Sequence, residues 1–535
     1  MKRRLVLMAL AWTPCFAAAA EPPAPAIEVR VKAIAELTGI IEYAGDLLMQ
    51  PEAGKQFAEM IKTLGAGEKG LEGIDAAHPI GGYVRISENI ADSAVVVMVP
   101  VKNETAFLGL LKDKLNVEPK KGKGDIYTVE IPQLPIGAVH FRFLHGYAYA
   151  TIRNAKSIDP EIVLKPKEFF TASHKAILSA DIHWDRFPAD VKKVMLGQIE
   201  LQLVEMTKDW GGSELQKLAR RGLLDIGVGM VKTMIEDGKQ LNVSLDADPK
   251  SDTVAANVRL TAKPKTLLET NLKSWADRES TAASLSVAEN PLASLGLIAK
   301  IPAGTHEKLG KLIDVVFDDL LASANDDAKA LATKLVDALG PTMKSDDIQL
   351  GLLVVKPGKE NSIRLHAAVK ADKGAELEKV LREFAPFLMG GDASVKFDVE
   401  KFAGRNLHEG SHSNEQLKGN FGTENLWIAT SDDLVAFGIE EKPKRLKAYL
   451  EAKPKMLPML SLEVSAAQFG VMAEKDVAPE DYAAILQNVY GKEGPAGRDT
   501  LKLTISGGRE LNVKLELKGR AVTMFVAVDR DKKKK

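Results

Sequence analysis

Cysteine is all but absent from this chain: among 535 residues there is one, Cys15. A single thiol excludes an internal disulfide framework and any zinc site built from several cysteines. Charge of one sign is missing as well. Lysine and arginine total 72, aspartate and glutamate 73, and the formal net charge is −1. Nucleic-acid binders normally carry a basic excess, so that class of partner is not expected. No run of residues is apolar over the roughly 20 positions that a membrane-spanning helix needs. No G-x-S-x-G occurs, so the serine elbow of the α/β-hydrolases is lacking.

What the chain does have starts at its first residues. Lys2, Arg3 and Arg4 give a positive beginning, Leu5 to Trp12 a short apolar core, and Ala18, Ala19 and Ala20 small side chains before Glu21. This is the layout of a secretory signal, expected over residues 1–20 with cleavage after Ala20. Pro14 and the short apolar run argue against a membrane anchor. Lipid attachment at Cys15 calls for small residues just before it, and Thr13 and Pro14 stand there instead. The expected product is periplasmic or secreted and, without disulfides, is held together by its core. About 515 residues remain, enough for several domains with cores of their own.

Glu21 to Ala26 reads as a Pro/Ala leader, too polar and proline-rich to pack. Beyond it, Ile34, Leu37, Ile40, Ile41 and Ala44 recur at helical spacing, and Phe57, Met60, Ile61 and Leu64 do so again. Strands are expected over Gly82–Ile86 and Ala94–Val101, then a helix with Phe107, Leu108, Leu111 and Leu115 on one face. Three more strands follow over Ile126–Ile131, Val139–Leu144 and Tyr147–Ile152, the last two joined at the turn signal His145-Gly146. After about residue 290 the same order returns. Helices run through Leu309–Leu320 and Ala328–Leu339, strands through Ile348–Val355 and Ser362–Val369, a helix through Glu376–Phe384, and strands through Val395–Val399 and Leu426–Thr430.

Particular residues line up. Leu178, Ser179, Asp181, Ile182 and Phe187 match Leu460, Ser461, Glu463, Val464 and Phe469, all 282 apart. Val101-Lys102 matches Val369-Lys370, Tyr127 and Val129 match Phe397 and Val399, and Ala150-Thr151 matches Ala429-Thr430. Leu241–Leu245 and Val254–Leu260 alternate apolar and polar, as do Leu501–Ile505, Leu511–Leu517 and Val522–Val528, the signature of sheets with one wet face. Duplication with divergence accounts for this order. The run AVVVMVPVKNETAFLGLLKDKL from Ala94, the strand YTVEIP and then GYAYATIRNAKSI resemble a class of uncharacterised secreted bacterial proteins with repeated α+β units. The resemblance spans most of residues 80–530 and implies an exported repeat protein without assigning any catalytic residue.

The motifs that suggest chemistry are incomplete. His408-Glu409-Gly410-Ser411-His412 spells H-E-x-x-H, which in zinc peptidases sets two imidazoles on one helical face with the glutamate as general base. That mechanism needs a helix, and Gly and Ser are poor helix formers. A loop or strand end between two strands is expected here instead. Asp246, Asp248 and Asp252 around Pro249-Lys250 have calcium-like spacing but lack the glycine and distal glutamate of a full loop, and read as turn caps. Gly65 to Gly73 holds a lysine without the order of a phosphate loop. His183-Trp184-Asp185 and Trp210-Gly211-Gly212 put aromatics beside polar groups, as sugar sites do, yet tryptophan is more often core. No catalytic, cofactor-binding or metal residue is singled out.

The expected architecture is α+β: a signal over 1–20, one half over 21–285, a duplicate over 286–530 and a charged tail over 531–535, each half an antiparallel sheet with helices on one side. The expected role is non-catalytic, a binding or structural protein of the periplasm or cell envelope. Two alternatives stand beside it. One is a carrier holding a hydrophobic ligand between sheet and helices. The other is a hydrolase, with zinc at His408 and His412 as one version.

Overall fold

The computed structural model describes residues 23–64, 73–113, 116–130, 137–152, 154–171, 176–207, 214–288, 290–323, 326–356, 362–388, 393–413, 415–467, 479–495 and 497–532. The signal expected over residues 1–20, most of the glycine run at 65–73, Trp210-Gly211-Gly212 and the last three lysines lie outside them. The fold is mixed α+β, with one large antiparallel sheet.

Ten strands come first: β1 (Ile27–Val31), β2 (Ile80–Arg85), β3 (Ala94–Pro100), β4 (Lys120–Lys121), β5 (Tyr127–Glu130), β6 (Ala138–Leu144), β7 (Tyr147–Ile152), β8 (Leu178–His183), β9 (Gly238–Asp248) and β10 (Thr253–Ala262). Twelve follow: β11 (Arg278–Ser280), β12 (Ala293–Lys300), β13 (Asp347–Val355), β14 (Arg364–Lys370), β15 (Ala393–Phe402), β16 (Arg405–His412), β17 (Asn425–Thr430), β18 (Leu434–Ile439), β19 (Lys455–Leu457), β20 (Leu460–Ser465), β21 (Thr500–Ser506) and β22 (Glu510–Lys518). β11 and β19 form a separate ribbon. All the others join one sheet.

Hydrogen-bonded neighbours run β4, β5, β6, β7, β3, β2, β1, β8, β9, β10 in the first set. In the second they run β15, β16, β17, β18, β14, β13, β12, β20, β21, β22. β10 then pairs antiparallel with β22, with Asn257 opposite Lys514 and Val258 opposite Val513. Separate sheets for the two halves were expected; the structure instead carries one sheet through both, because the last strand of each set uses its free edge to pair with the other.

Local signals explain most elements. His145 and Gly146 both have positive φ, 53° and 78°, as a tight primed turn between β6 and β7 requires. β3 reads Ala-Val-Val-Val-Met-Val-Pro and is apolar on both faces, so it needs cover on both. Ile158, Val163 and Phe169 pack on Val96 and Met98, while Phe107 and Leu108 of helix Glu104–Asp113 cover Val99 on the other side. Helical cover on one side only was expected, and this two-sided packing corrects it.

Other expectations are corrected too. Ala26, placed in an unpacked leader, is fully buried against Trp184 and Phe187. Val522–Val528 is not a strand but part of helix Gly519–Lys532, where Ala521, Met524 and Ala527 repeat every third residue into the core. Asp531 and Lys532 end that helix instead of starting a tail. The matching of Ala150-Thr151 with Ala429-Thr430 is displaced by one strand: β7 pairs β3, and the strand that pairs β14 is β18, not β17. The displacement arises because β16, with the polar sequence Arg-Asn-Leu-His-Glu-Gly-Ser-His, does not look like a strand. Among the described residues no helix is long and apolar enough to cross a membrane.

Close approach of helix to sheet depends on missing side chains. A Cβ on Gly351 would lie 2.2 Å from the carbonyl oxygen of Ala282, in the short helix Thr281–Ser284. Gly310, in helix Ala303–Ser323, faces open space. Gly351→Ala is therefore expected to destabilise by about 1–3 kcal/mol, and Gly310→Ala to stabilise by about 0.5–1 kcal/mol. Urea unfolding midpoints of the two variants check the contrast.

Candidate ligand-binding face and buried network

Alternation along the strands gives the sheet two chemically different faces. On one, a row of directly opposed residues runs Val97, Gly82, Val29, Ala180, Val243, Val258, Val513, Ile505, Leu460, Leu297, Leu350, Val369. It crosses twelve strands, about 50 Å at the usual strand spacing, without a polar or aromatic side chain. Two residues along, Leu178, Leu245, Ala256, Leu515, Leu503, Leu462, Leu295 and Leu352 form a parallel row. On the opposite face, between these rows, stand Ser179, Ser244, Asn257, Lys514, Thr504 and Ser461.

Over the central strands this polar face is the one expected to meet water; toward the wings the same side carries the cores around Val96 and Met98 and around Leu353 and Val355. The aliphatic face belongs in a core, yet it is only partly covered. Val29, Val95, Val97, Leu178, Val243 and Leu245 are each 36–42 % exposed. Cover is concentrated at its margins. Val191, Met195 and Val231, from helices Ala189–Thr207 and Glu214–Asp237, pack on Ile27, Ile182 and Leu241 at one end of the strands. Helix Glu104–Asp113 covers one wing, and helix Gly374–Leu388 packs on Val435 at the other.

Helix pairs rise at both strand ends. The pair Ile34–Leu47 and Pro51–Leu64 follows β1, while Ala189–Thr207 and Glu214–Asp237 follow β8, its antiparallel neighbour, and so leave from the other end. Helix Glu214–Asp237 meets helix Ala303–Ser323 across the two sets, with Gly222 against Leu312. At the far end Arg530 of helix Gly519–Lys532 donates to the carbonyls of Leu48 and Met49. The result is an aliphatic floor with helices at both strand ends; helix Ala189–Thr207 packs on it through Val191 and Met195 and leaves Val194 and Leu201, on its other side, 59 % and 66 % exposed. Monomeric proteins rarely leave contiguous apolar surface of this extent uncovered without a binding role.

The H-E-x-x-H segment forms the end of β16, which closes at His412, and it is paired on both sides. Four residues of strand span about 13 Å, so His408 and His412 do not converge on one ion. His408 instead belongs to a buried network. The backbone N–H of Asp398 donates to its Nδ1 at 3.0 Å, which leaves the proton on Nε2, 3.0 Å from Thr430 Oγ1. The Thr430 hydroxyl in turn donates to Glu378 Oε2 at 2.6 Å, and Asn406 donates to the same oxygen at 3.0 Å. Arg382 donates to Glu378 Oε1 and, at 2.7 Å, to both oxygens of Asp398. Asp398 sits in a bulge of β15 with φ 53°, which turns its N–H toward the imidazole.

Glu378, Asp398 and His408 bring ligand atoms within 4.8 Å of one another. Their lone pairs, however, are already used, and Arg382 supplies the positive charge a cation would bring. The donor set does not fit a metal. Burial alone would push the Glu378 carboxyl up; the hydrogen bonds from Thr430, Arg382 and Asn406 outweigh it and hold the group at about 2. Burial lowers the His408 pKa, and Arg382 adds to that against the pull of Glu378 and Asp398, so the ring is neutral. At the same place in the first set, under helix Glu104–Asp113, Tyr127, Phe141, Phe143 and Phe107 pack as aromatics, with Tyr127 stacked 5.2 Å from Phe141.

The remaining motif residues have local roles. Asp248 accepts from Lys250 N–H and Ser251 Oγ in the β9–β10 turn, and Asp252 accepts from Tyr43 Oη at 2.9 Å and Arg520 N–H. Asp246 lies 4.0 Å from Lys32. Trp184 is buried beside Phe187. The aliphatic face was written in the alternation of β9, β10, β21 and β22, but alternation does not say whether an apolar face is covered. Comparison with protein-family models, curated proteins and solved structures gives no match to this chain.

A carboxyl held at about 2 against an ordinary 4.5 stabilises the fold above pH 4.5, and that contribution is lost as pH falls toward 2. Glu378→Gln is expected to destabilise by about 1–3 kcal/mol at pH 7 and to flatten this acid limb, measured by urea unfolding across that range.

Proposed function

We propose that this chain is an exported, non-catalytic carrier of aliphatic ligands of the acyl-chain type, acting in the periplasm or cell envelope. The observation that carries the reading is the row from Val97 through Val243 to Val369, apolar across twelve strands, flanked by helices and left 36–42 % exposed at Val97, Val29 and Val243. Its chemistry favours a chain-like lipid. Protein–protein interfaces concentrate aromatic, methionine and arginine side chains at their centres, and this row holds none. The leader over residues 1–20 supports an export route.

The carrier is built from two related copies of one α+β unit. Support comes from the matching strand orders and from register: Val31 opposes Leu178 as Leu297 opposes Leu460, and Leu178 opposes Leu245 as Leu460 opposes Ile505. Continued through β9 and β10, the same correspondence makes Asn257 the counterpart of Lys514. Those two residues face each other across the β10–β22 pair, where a two-fold relation between the copies would put its axis.

Solvent extraction of the purified mature chain, followed by mass spectrometry, is expected to recover acyl lipid near one or more equivalents. The Val243→Glu, Leu245→Glu double variant, altered at two exposed floor positions, is expected to lose at least about tenfold of that lipid with its unfolding midpoint little changed. Lipid-free wild-type protein that also fails to bind a fluorescent fatty acid would overturn the reading.

A further inference from the structure

On the polar face, β8, β9 and β10 line a concavity of about 470 Å³, with Ser179, Asp181, Gln240, Asn242, Ser244 and Thr261 on its wall. This lies within the range of small-ligand sites. Asp181 is 5 % exposed and fixed from three directions. Arg30 Nη1 donates to its Oδ2 at 2.7 Å, and Gln240 Nε2 and Asn242 Nδ2 each donate to its Oδ1 at 2.9 Å. Both amides thereby spend an N–H on the carboxylate, which fixes how their carbonyl oxygens are presented as acceptors. Ser179, directly opposite Ser244, is 3 % exposed, and its Oγ has no hydrogen-bond partner. A buried hydroxyl left unpaired costs about 1–3 kcal/mol, so a partner entering the concavity gains what the fold alone forgoes.

Charge narrows the partner. Arg30 compensates Asp181, Arg259 lies 3.4 Å from Glu510, and Lys32 lies 4.0 Å from Asp246. Hydroxyls and amides remain, offering donors and acceptors side by side with no unmatched charge. We propose that this concavity binds a neutral polyhydroxylated ligand, a sugar or cyclic polyol, whose hydroxyl groups pair with Ser179 and with the amides of Gln240 and Asn242. The site lies on the opposite face of the sheet from the aliphatic floor and works independently of it. In the second set Lys502 with Glu463 at 3.2 Å and Lys514 with Glu516 at 2.6 Å occupy the polar face, so the amide-lined arrangement belongs to the first.

The test is calorimetric titration and saturation-transfer NMR of the mature chain with myo-inositol, glucose and maltose. Saturable binding of at least one is expected. Ser179→Ala, which removes a hydroxyl without a partner and so leaves folding intact, is expected to weaken it about tenfold. Ser244→Met, which fills the concavity from a half-buried position, is expected to abolish it, with lipid content unchanged in both variants. Tighter binding of maltose than glucose assigns the site to a glycan, and the reverse to a free monosaccharide; either supports the proposal. No saturable binding of any probe, or binding that survives Ser244→Met, overturns it and leaves the lipid reading standing.

Discussion

Nine residues of β10 pair with β22, from Thr253 opposite Lys518 to Thr261 opposite Glu510. Without this ladder each set of ten strands would end in a long edge of unpaired backbone groups, which proteins otherwise protect with charge, proline or cover. With it, two aliphatic faces become one floor and two polar faces one surface. Because side chains alternate strictly along a strand, a slip of one residue at this junction would put the aliphatic face of one set beside the polar face of the other. Val258 opposite Val513 and Leu260 opposite Leu511 hold the register that prevents it.

Much of the architecture was legible from periodicity. The helix pair after β1, the turn at His145-Gly146 and the alternating segments of β9, β10, β21 and β22 all lie where periodicity and turn residues put them. Failures fell where local pattern and tertiary setting disagree. Val522–Val528 alternates well enough for a strand, but it follows β22 directly and packs through Ala521, Met524 and Ala527 as a helix. β16 is a strand by virtue of its two neighbours, and its own composition hides it. As for the candidate sites, the residues of the aliphatic rows were visible as strand positions, while their exposure depends on where the helices stand. The Glu378 network gathers residues from a helix and three strands, and no short motif records such a grouping.

That network is the clearest chemical difference between equivalent places in the two sets. One location is filled by Tyr127, Phe141, Phe143 and Phe107, the other by His408, Thr430, Glu378 and Arg382. Burying ionised groups rarely stabilises a fold more than apolar packing of the same shape, although breaking such a network once formed is costly. What the polar version contributes is direction. Aromatic rings tolerate small shifts, whereas Arg382 bridging Glu378 and Asp398 fixes helix Gly374–Leu388 against β15 at one angle and depth.

A sheet this wide has two outer margins, and both are poor templates. β4 is two residues long and both are lysines. β15 carries Lys396, Glu400 and Lys401, and the bulge at Asp398 interrupts its pairing with β16 between Lys396 and Glu400. A neighbouring molecule seeking to extend the ladder meets charge on one side and a kinked backbone on the other. The same distortion that turns Asp398 toward His408 thus also discourages end-to-end growth into filaments, a safeguard that matters most for a protein carrying so much exposed aliphatic surface.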